Sequence, residues 1–260
     1  MSQPSPPTQP ICSEPLGVWT RATPAPQSAS EARRLAFEFS SRGDRVCGEL
    51  WLPAKGRGPF ALVLQQAASG AMAEGDAAVT GWLRAGLAVA SIDLPLHGAR
   101  ASAKLGGLLE SALHGDPAPT PLARAVAREF ARQAVLDLQR SLDALPRVAR
   151  VDLTRIAYVG AGLGASLGAH FCAQDPRPRA VVLAGAASCL PPELDPRAAL
   201  GRIAPRPVLF VDAQAGRGPA EALHAAAGEP KQVRWFETLP GAAAAPIRSF
   251  VTRALGLAER

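Results

Sequence analysis

Residues 159–170 read VGAGLGASLGAH, and three readings compete for them. Gly160, Gly162 and Ala165 match G-x-G-x-x-A, the turn that lays a dinucleotide pyrophosphate against a helix N-terminus. Gly164, Ser166 and Gly168 match G-x-S-x-G, the pattern that seats a nucleophilic serine on a tight strand-to-helix turn. Gly160 to Gly164 fits the same turn in an earlier frame. There the nucleophile position is Gly162, which has no side chain. The choice rests on where the preceding strand ends and the helix begins.

The flanking sequence places that boundary. RIAYVG (155–160) is a short apolar run suited to a buried parallel strand, and a helix is expected over 163–174. Carrying the strand on to Leu163 would run it through Gly160, Ala161 and Gly162, a poor strand sequence. The turn then falls on Gly162, and Ser166 stands one helical turn later, as a small residue packed against the sheet. The frame centred on Ser166 is the second reading. The dinucleotide reading also requires a carboxylate about 20 residues on, at the end of the next strand. That strand, AVVLAG (180–185), is followed by Ala186. No NAD, FAD or other cofactor is therefore expected.

Outward from this stretch, strands and helices alternate. RRLAFEFSSRGDRVCGELWL (33–52) is two alternating apolar runs around Arg42-Gly43-Asp44 and reads as a β-hairpin. Further strands are expected at 59–65, 87–93, 207–212 and 232–237, and helices at about 75–85, 121–145 and 247–256. This order predicts a mostly parallel sheet with helices on both faces and an antiparallel hairpin at its N-terminal edge. Residues 1–30 are rich in Pro, Ser, Thr and Gln and read as a disordered or loosely attached leader. Residues 31–260 form one domain, in which 99–120 is a loop or small cap.

Composition narrows the function. Lys and Arg number 28 against 22 Asp and Glu, a net charge of +6, yet the excess is scattered and aromatic residues make up only 5%. That is no footprint for nucleic acid. No apolar run reaches the roughly 18 residues of a membrane span, and the first residues lack the pattern of a signal peptide. Cys12, Cys47, Cys172 and Cys189 are widely spaced, which points to a reduced, cytoplasmic protein without a metal site.

Four landmarks carry a family resemblance. They are LPAKGRGPFALVLQQAASG (52–70), VASIDLPLHGAR (89–100) with Asp93, His97, Gly98 and Arg100, VDLTRIAYVGAGLGA (151–165), and Asp175-Pro176 before a strand. In this order they resemble the α/β-hydrolase fold, in its dienelactone hydrolase-like branch, over about residues 33–256. The resemblance implies an α/β-hydrolase-like three-layer sandwich. It also implies positions for a catalytic triad, and at those positions this sequence departs from the family. The nucleophile position is Gly162. In PVLFVDAQAG (207–216) the acid position is Gly216. In LPGAAAAP (239–246) the histidine position falls on Ala244 or a neighbouring alanine. The family's H-G pair at the oxyanion loop reads Gln66-Ala67.

A serine nucleophile needs a base within reach and an orienter for that base. Of the histidines, His97 lies in the H-G-x-R loop, where the resemblance implies a structural role. His114 falls in the cap and is expected to be exposed, His170 follows Ser166 by four residues, and His224 is expected on a helix surface. None occupies the place of a base. What remains is a cleft at the C-terminal strand edges. Ala67 and Leu163 offer backbone N–H groups there, and Gln65, Gln66, Asp93, Gly162, Asp212 and Gln214 are the candidate ligand contacts. The sequence thus reads as a degenerate hydrolase that binds a small molecule or a partner protein. A lyase, cyclase or isomerase using the same N–H donors is one alternative. An esterase acting through Ser166 is another, with Cys189 a further candidate nucleophile near the cleft.

Overall fold

The structure, a computed structural model, describes residues 14–24, 32–67, 77–115, 118–186, 194–237 and 245–257. Nine strands form one sheet: β1 (Trp19–Thr23), β2 (Arg33–Ser41), β3 (Asp44–Leu52), β4 (Phe60–Gln66), β5 (Ala88–Ile92), β6 (Val151–Ala161), β7 (Pro178–Ala184), β8 (Val208–Ala213) and β9 (Lys231–Phe236). Their spatial order is β1-β2-β3-β5-β4-β6-β7-β8-β9. From β5 to β9 every pairing is parallel, whereas β1, β2, β3 and β5 pair antiparallel.

The hairpin turns where the sequence places it. Arg42 and Gly43 both adopt positive φ, at 52° and 75°, in a two-residue loop whose twist suits the flanking strands. Every residue of β4 is buried, as expected of a central parallel strand covered on both faces.

Two helical layers provide that cover. On one side α3 (Pro121–Val148), α4 (Leu163–Gln174), α5 (Arg197–Leu200) and α6 (Arg217–Ala226) bury Leu138, Leu142, Phe171, Leu200 and Leu223 against Leu62, Tyr158 and Phe210. On the other, α1 (Ala77–Arg84) and α7 (Ala245–Ala254) pack Trp82, Ile247 and Val251 on Val63, Val89 and Val182. Burial at about 25 cal/mol per Å2 of apolar surface drives this three-layer arrangement.

One expectation needs correction. Residues 19–23 are not loose leader: they form β1 in register with β2, from Trp19 opposite Glu38 to Thr23 opposite Arg34. Residues 1–13 and 25–31 lie outside the described residues. The 99–120 segment, expected as a loop or small cap, holds short helices among its described residues. After a single 3-10 turn at Gly98–Arg100 come α2 (Ala103–Glu110) and a π-helical turn at Ser111–Gly115. Ser102 accepts a hydrogen bond from the Leu105 N–H and starts α2. Leu109 and Ala112 then pack on Ala127, Phe130 and Leu167, which makes the segment a cap.

Candidate functional site

β6 ends at Ala161 and α4 begins at Leu163, so the whole reversal rests on Gly162. Its φ of 57° and ψ of −120° lie where a side chain is strained. The glycines on either side are required by close approach. A Cβ at Gly160 would stand 2.6 Å from the Gly164 carbonyl oxygen, and one at Gly164 would stand 2.3 Å from that of Gln66. The Tyr158 hydroxyl donates to the Gly164 carbonyl at 2.6 Å, deep in the core. Gly168 lies over the same tyrosine ring. Each glycine of the shifted G-x-S-x-G frame thus has a packing reason, and the sharp turn belongs to the earlier frame.

Ser166 sits inside α4 and is fully buried. Its backbone N–H donates to the Gly162 carbonyl, and its Oγ makes no hydrogen bond. His170 lies four residues on, and its Nε2 is likewise buried and unpartnered. Burial pushes the His170 imidazole below its ordinary pKa, against the backbone of Leu194 and Asp195, and keeps it neutral.

The expected ligand contacts divide sharply. Gln66 is wholly buried, and its side-chain amide donates to the Ile92 carbonyl at 3.0 Å, clasping β4 to β5. Gln65 accepts from the Trp82 indole at 3.1 Å. Asp93 accepts from the Ala99 N–H at 3.0 Å and holds the turn after β5. Asp212 Oδ2 lies 2.8 Å from His224 Nε2. Each of these polar side chains thus has a partner within the fold, as buried polar groups generally do.

Gln214 and Gly216 are exposed on the 3-10 turn that leads into α6, with open space around Gly216. Ala67, Gly162 and Leu163 do come together. Gln66 pairs with Gly160 in register, so Ala67 follows on the strand end beside the elbow. The Leu163 side chain joins the cap cluster with Leu96 and Leu108. Ala244, Cys12, Cys189 and the side chain of His114 lie outside the described residues.

His224 is the second correction. It is buried between Phe210 and Trp235, with ring centroids 4.7 and 5.2 Å away, and is not a surface residue. His97 is held by its own loop, Nδ1 standing 2.8 Å from the Pro95 carbonyl. Arg100 was legible only as part of the H-G-x-R loop. It proves to be a buried hub that pairs with Asp137 at 2.6 Å and Asp44 at 2.5 Å and donates to the Asp93 carbonyl. Cys172 is buried and its thiol is pushed far up by desolvation, so it is no nucleophile.

The chemistry available at the elbow is that of backbone donors. Ala165 and Ser166 donate their N–H groups to the Gly162 carbonyl, so the free donors at the start of α4 are those of Leu163 and Gly164, at the positive end of the helix dipole. Among the described residues no helix is long and apolar enough to cross a membrane, and no group of three or more His, Cys, Asp and Glu is placed to hold a metal ion.

No family model matches this chain, and no curated protein matches it. Solved structures do. An acetyl xylan esterase from Paenibacillus sp. R4 superposes with a TM-score of 0.71 at 17% identity, over 94% of this chain and 89% of that one. Acetyl xylan esterase 1 from Thermoanaerobacterium sp. JW/SL YS485 gives 0.72 at 14% identity, over 93% and 89%. A cold-adapted esterase from an Arctic intertidal metagenomic library gives 0.63 at 17% identity, over 86% and 92%. At such identities the likeness establishes the fold, which is α/β-hydrolase-like.

Proposed function

We propose that this chain uses a hydrolase-like scaffold to bind a small molecule at the elbow and does not hydrolyse esters through a triad. One observation carries this reading: the residue at the strand-to-helix turn is Gly162, which offers backbone but no nucleophile. The donors that support binding are the N–H of Leu163 at the start of α4 and that of Ala67 beside it. Such donors polarise a carbonyl or hold an anion without covalent chemistry. The apolar cap cluster around Leu163 supplies the rest of the wall.

A second reading has its own support. The structures that this fold resembles are esterases, and they favour hydrolysis at least as well as binding alone. In that reading Ser166 is the nucleophile and His170 the base, both with an unpartnered polar atom. The obstacle is access, since Ser166 is fully buried. A fluorophosphonate probe followed by peptide mass spectrometry separates the two. The binding reading expects no adduct on Ser166 in the native protein. A stoichiometric adduct there establishes the esterase reading instead.

A further inference from the structure

At the antiparallel edge of the sheet, two rungs of side chains cross on one face. In the first, Trp19 stands opposite Glu38, and Glu38 opposite Cys47. In the second, Arg21, Ala36, Glu49 and Ser91 follow one another across β1, β2, β3 and β5. These residues line a cavity of about 280 Å3, which Asp93 also borders. The short side chains of Ala36, Cys47 and Ser91 leave the space; the longer ones wall it.

Two atoms of that wall are buried without a partner. Ser91 is 1% exposed and its Oγ makes no hydrogen bond. Glu49 Oε2 makes none either, although Oε1 accepts from Arg34 at 2.5 Å. The Arg34 guanidinium lies 5.0 Å over the Trp51 ring, which fixes the pair. Buried polar atoms normally find partners. Arg34 Nε makes no hydrogen bond either, but of these three atoms only Glu49 Oε2 and Ser91 Oγ belong to residues that line the cavity.

The sign of the site selects that donor. Glu38, Glu49 and Asp93 line the cavity with Arg21 at its rim; Glu38 is paired with Arg45 and Glu49 Oε1 with Arg34, which leaves Glu49 Oε2 as the acceptor on offer. Burial raises the Cys47 thiol above its ordinary pKa, and the charges of Glu38 and Asp93 raise it further, ahead of the opposing Arg45 and Arg100. The thiol is therefore neutral and a poor nucleophile. An anion has no attraction to a carboxylate, and a neutral alcohol can donate to it but forms no ion pair. A cationic N–H donor gains one with Glu49.

We propose that this cavity binds a small molecule through a primary ammonium group, whose N–H bonds are accepted by Glu49 Oε2 and Ser91 Oγ. A ligand with a carboxylate at its other end also meets Arg21, which rests 5.9 Å over Trp19 at the rim. The site is independent of the elbow and of any activity there.

Isothermal titration calorimetry on the full chain at neutral pH tests it with propylamine, 3-aminopropanoate and propan-1-ol. Both amines are expected to bind saturably and the isosteric alcohol not to bind. Ala36→Leu, which fills the cavity, and Ser91→Ala should each weaken amine binding roughly tenfold or more, the scale of a lost hydrogen bond to a charge. Thermal melting of each variant separates lost binding from a lost fold, and Ser91→Ala decides if Ala36→Leu fails to fold. Tighter binding of 3-aminopropanoate that disappears in Arg21→Ala identifies an amino-acid ligand; equal binding identifies a simple amine. The proposal is overturned if neither amine binds, if propan-1-ol binds as well, or if a folded Ala36→Leu or Ser91→Ala protein binds as wild type does.

Discussion

Gly168 lies against the ring of Tyr158 so closely that a Cβ there would stand 1.9 Å from Cε1. The same tyrosine donates to the Gly164 carbonyl. Both glycines of the G-x-S-x-G match therefore serve the contact between α4 and the sheet. Gly168→Ala should lower stability by about 1–3 kcal/mol through overpacking. Urea denaturation measures it, and an unchanged midpoint would show that the helix does not sit this close.

Asp212 and His224 form a second closed contact. Removing either leaves a polar group buried without its partner, at a cost of about 1–3 kcal/mol. A double-mutant cycle with Asp212→Ala and His224→Leu should be strongly non-additive, since the first substitution already removes the bond. Additive losses would mean that the 2.8 Å contact contributes nothing.

Arg100 makes a prediction with a pH signature. Its side chain is 5% exposed and that of its partner Asp137 0%. Arg100→Met strands a buried carboxylate, which costs about 3–5 kcal/mol. Burial already lifts the Asp137 carboxyl above its ordinary pKa, despite the pull of Arg100. A carboxyl whose native pKa is raised holds its proton more tightly folded than unfolded. It therefore adds stability as pH falls from the native pKa towards the ordinary one, and the gain is lost as pH rises again. Without Arg100 the native pKa climbs further and the window widens upward. The deficit of Arg100→Met should thus shrink between neutral and mildly acidic pH in thermal melts. A deficit that stays constant or grows on acidification contradicts this account.

The fold was legible where local chemistry is unambiguous. The Arg42-Gly43 turn, the apolar runs of β4 to β8 and the elbow frame at Gly160–Gly164 follow from period and from glycine sterics. β1 was hidden because Trp19–Thr23 is short, mostly exposed and without an apolar face. α2 was hidden by Gly106 and Gly107, each costing about 1 kcal/mol in a helix interior. Its cap at Ser102 and burial of Leu109 override that cost. The site was less legible, for a different reason. The partners of Gln66, Asp212, His224 and Arg100 come from other elements, so no spacing along the chain announces them. A polar residue at a strand end looks the same in sequence whether it faces a cleft or clasps a neighbour.

We propose that Gly162 leaves the elbow without a nucleophile and that Ser166 does not replace it. Steady-state hydrolysis of p-nitrophenyl acetate and butyrate by wild type and Ser166→Ala tests this most directly. An unassisted serine hydroxyl is a weak nucleophile at neutral pH. The predicted result is therefore the same rate for both proteins, no faster than an equal amount of an unrelated protein. Wild-type turnover above that level, abolished by Ser166→Ala in a protein that still folds, would contradict the account and establish Ser166 as the catalytic residue of an esterase.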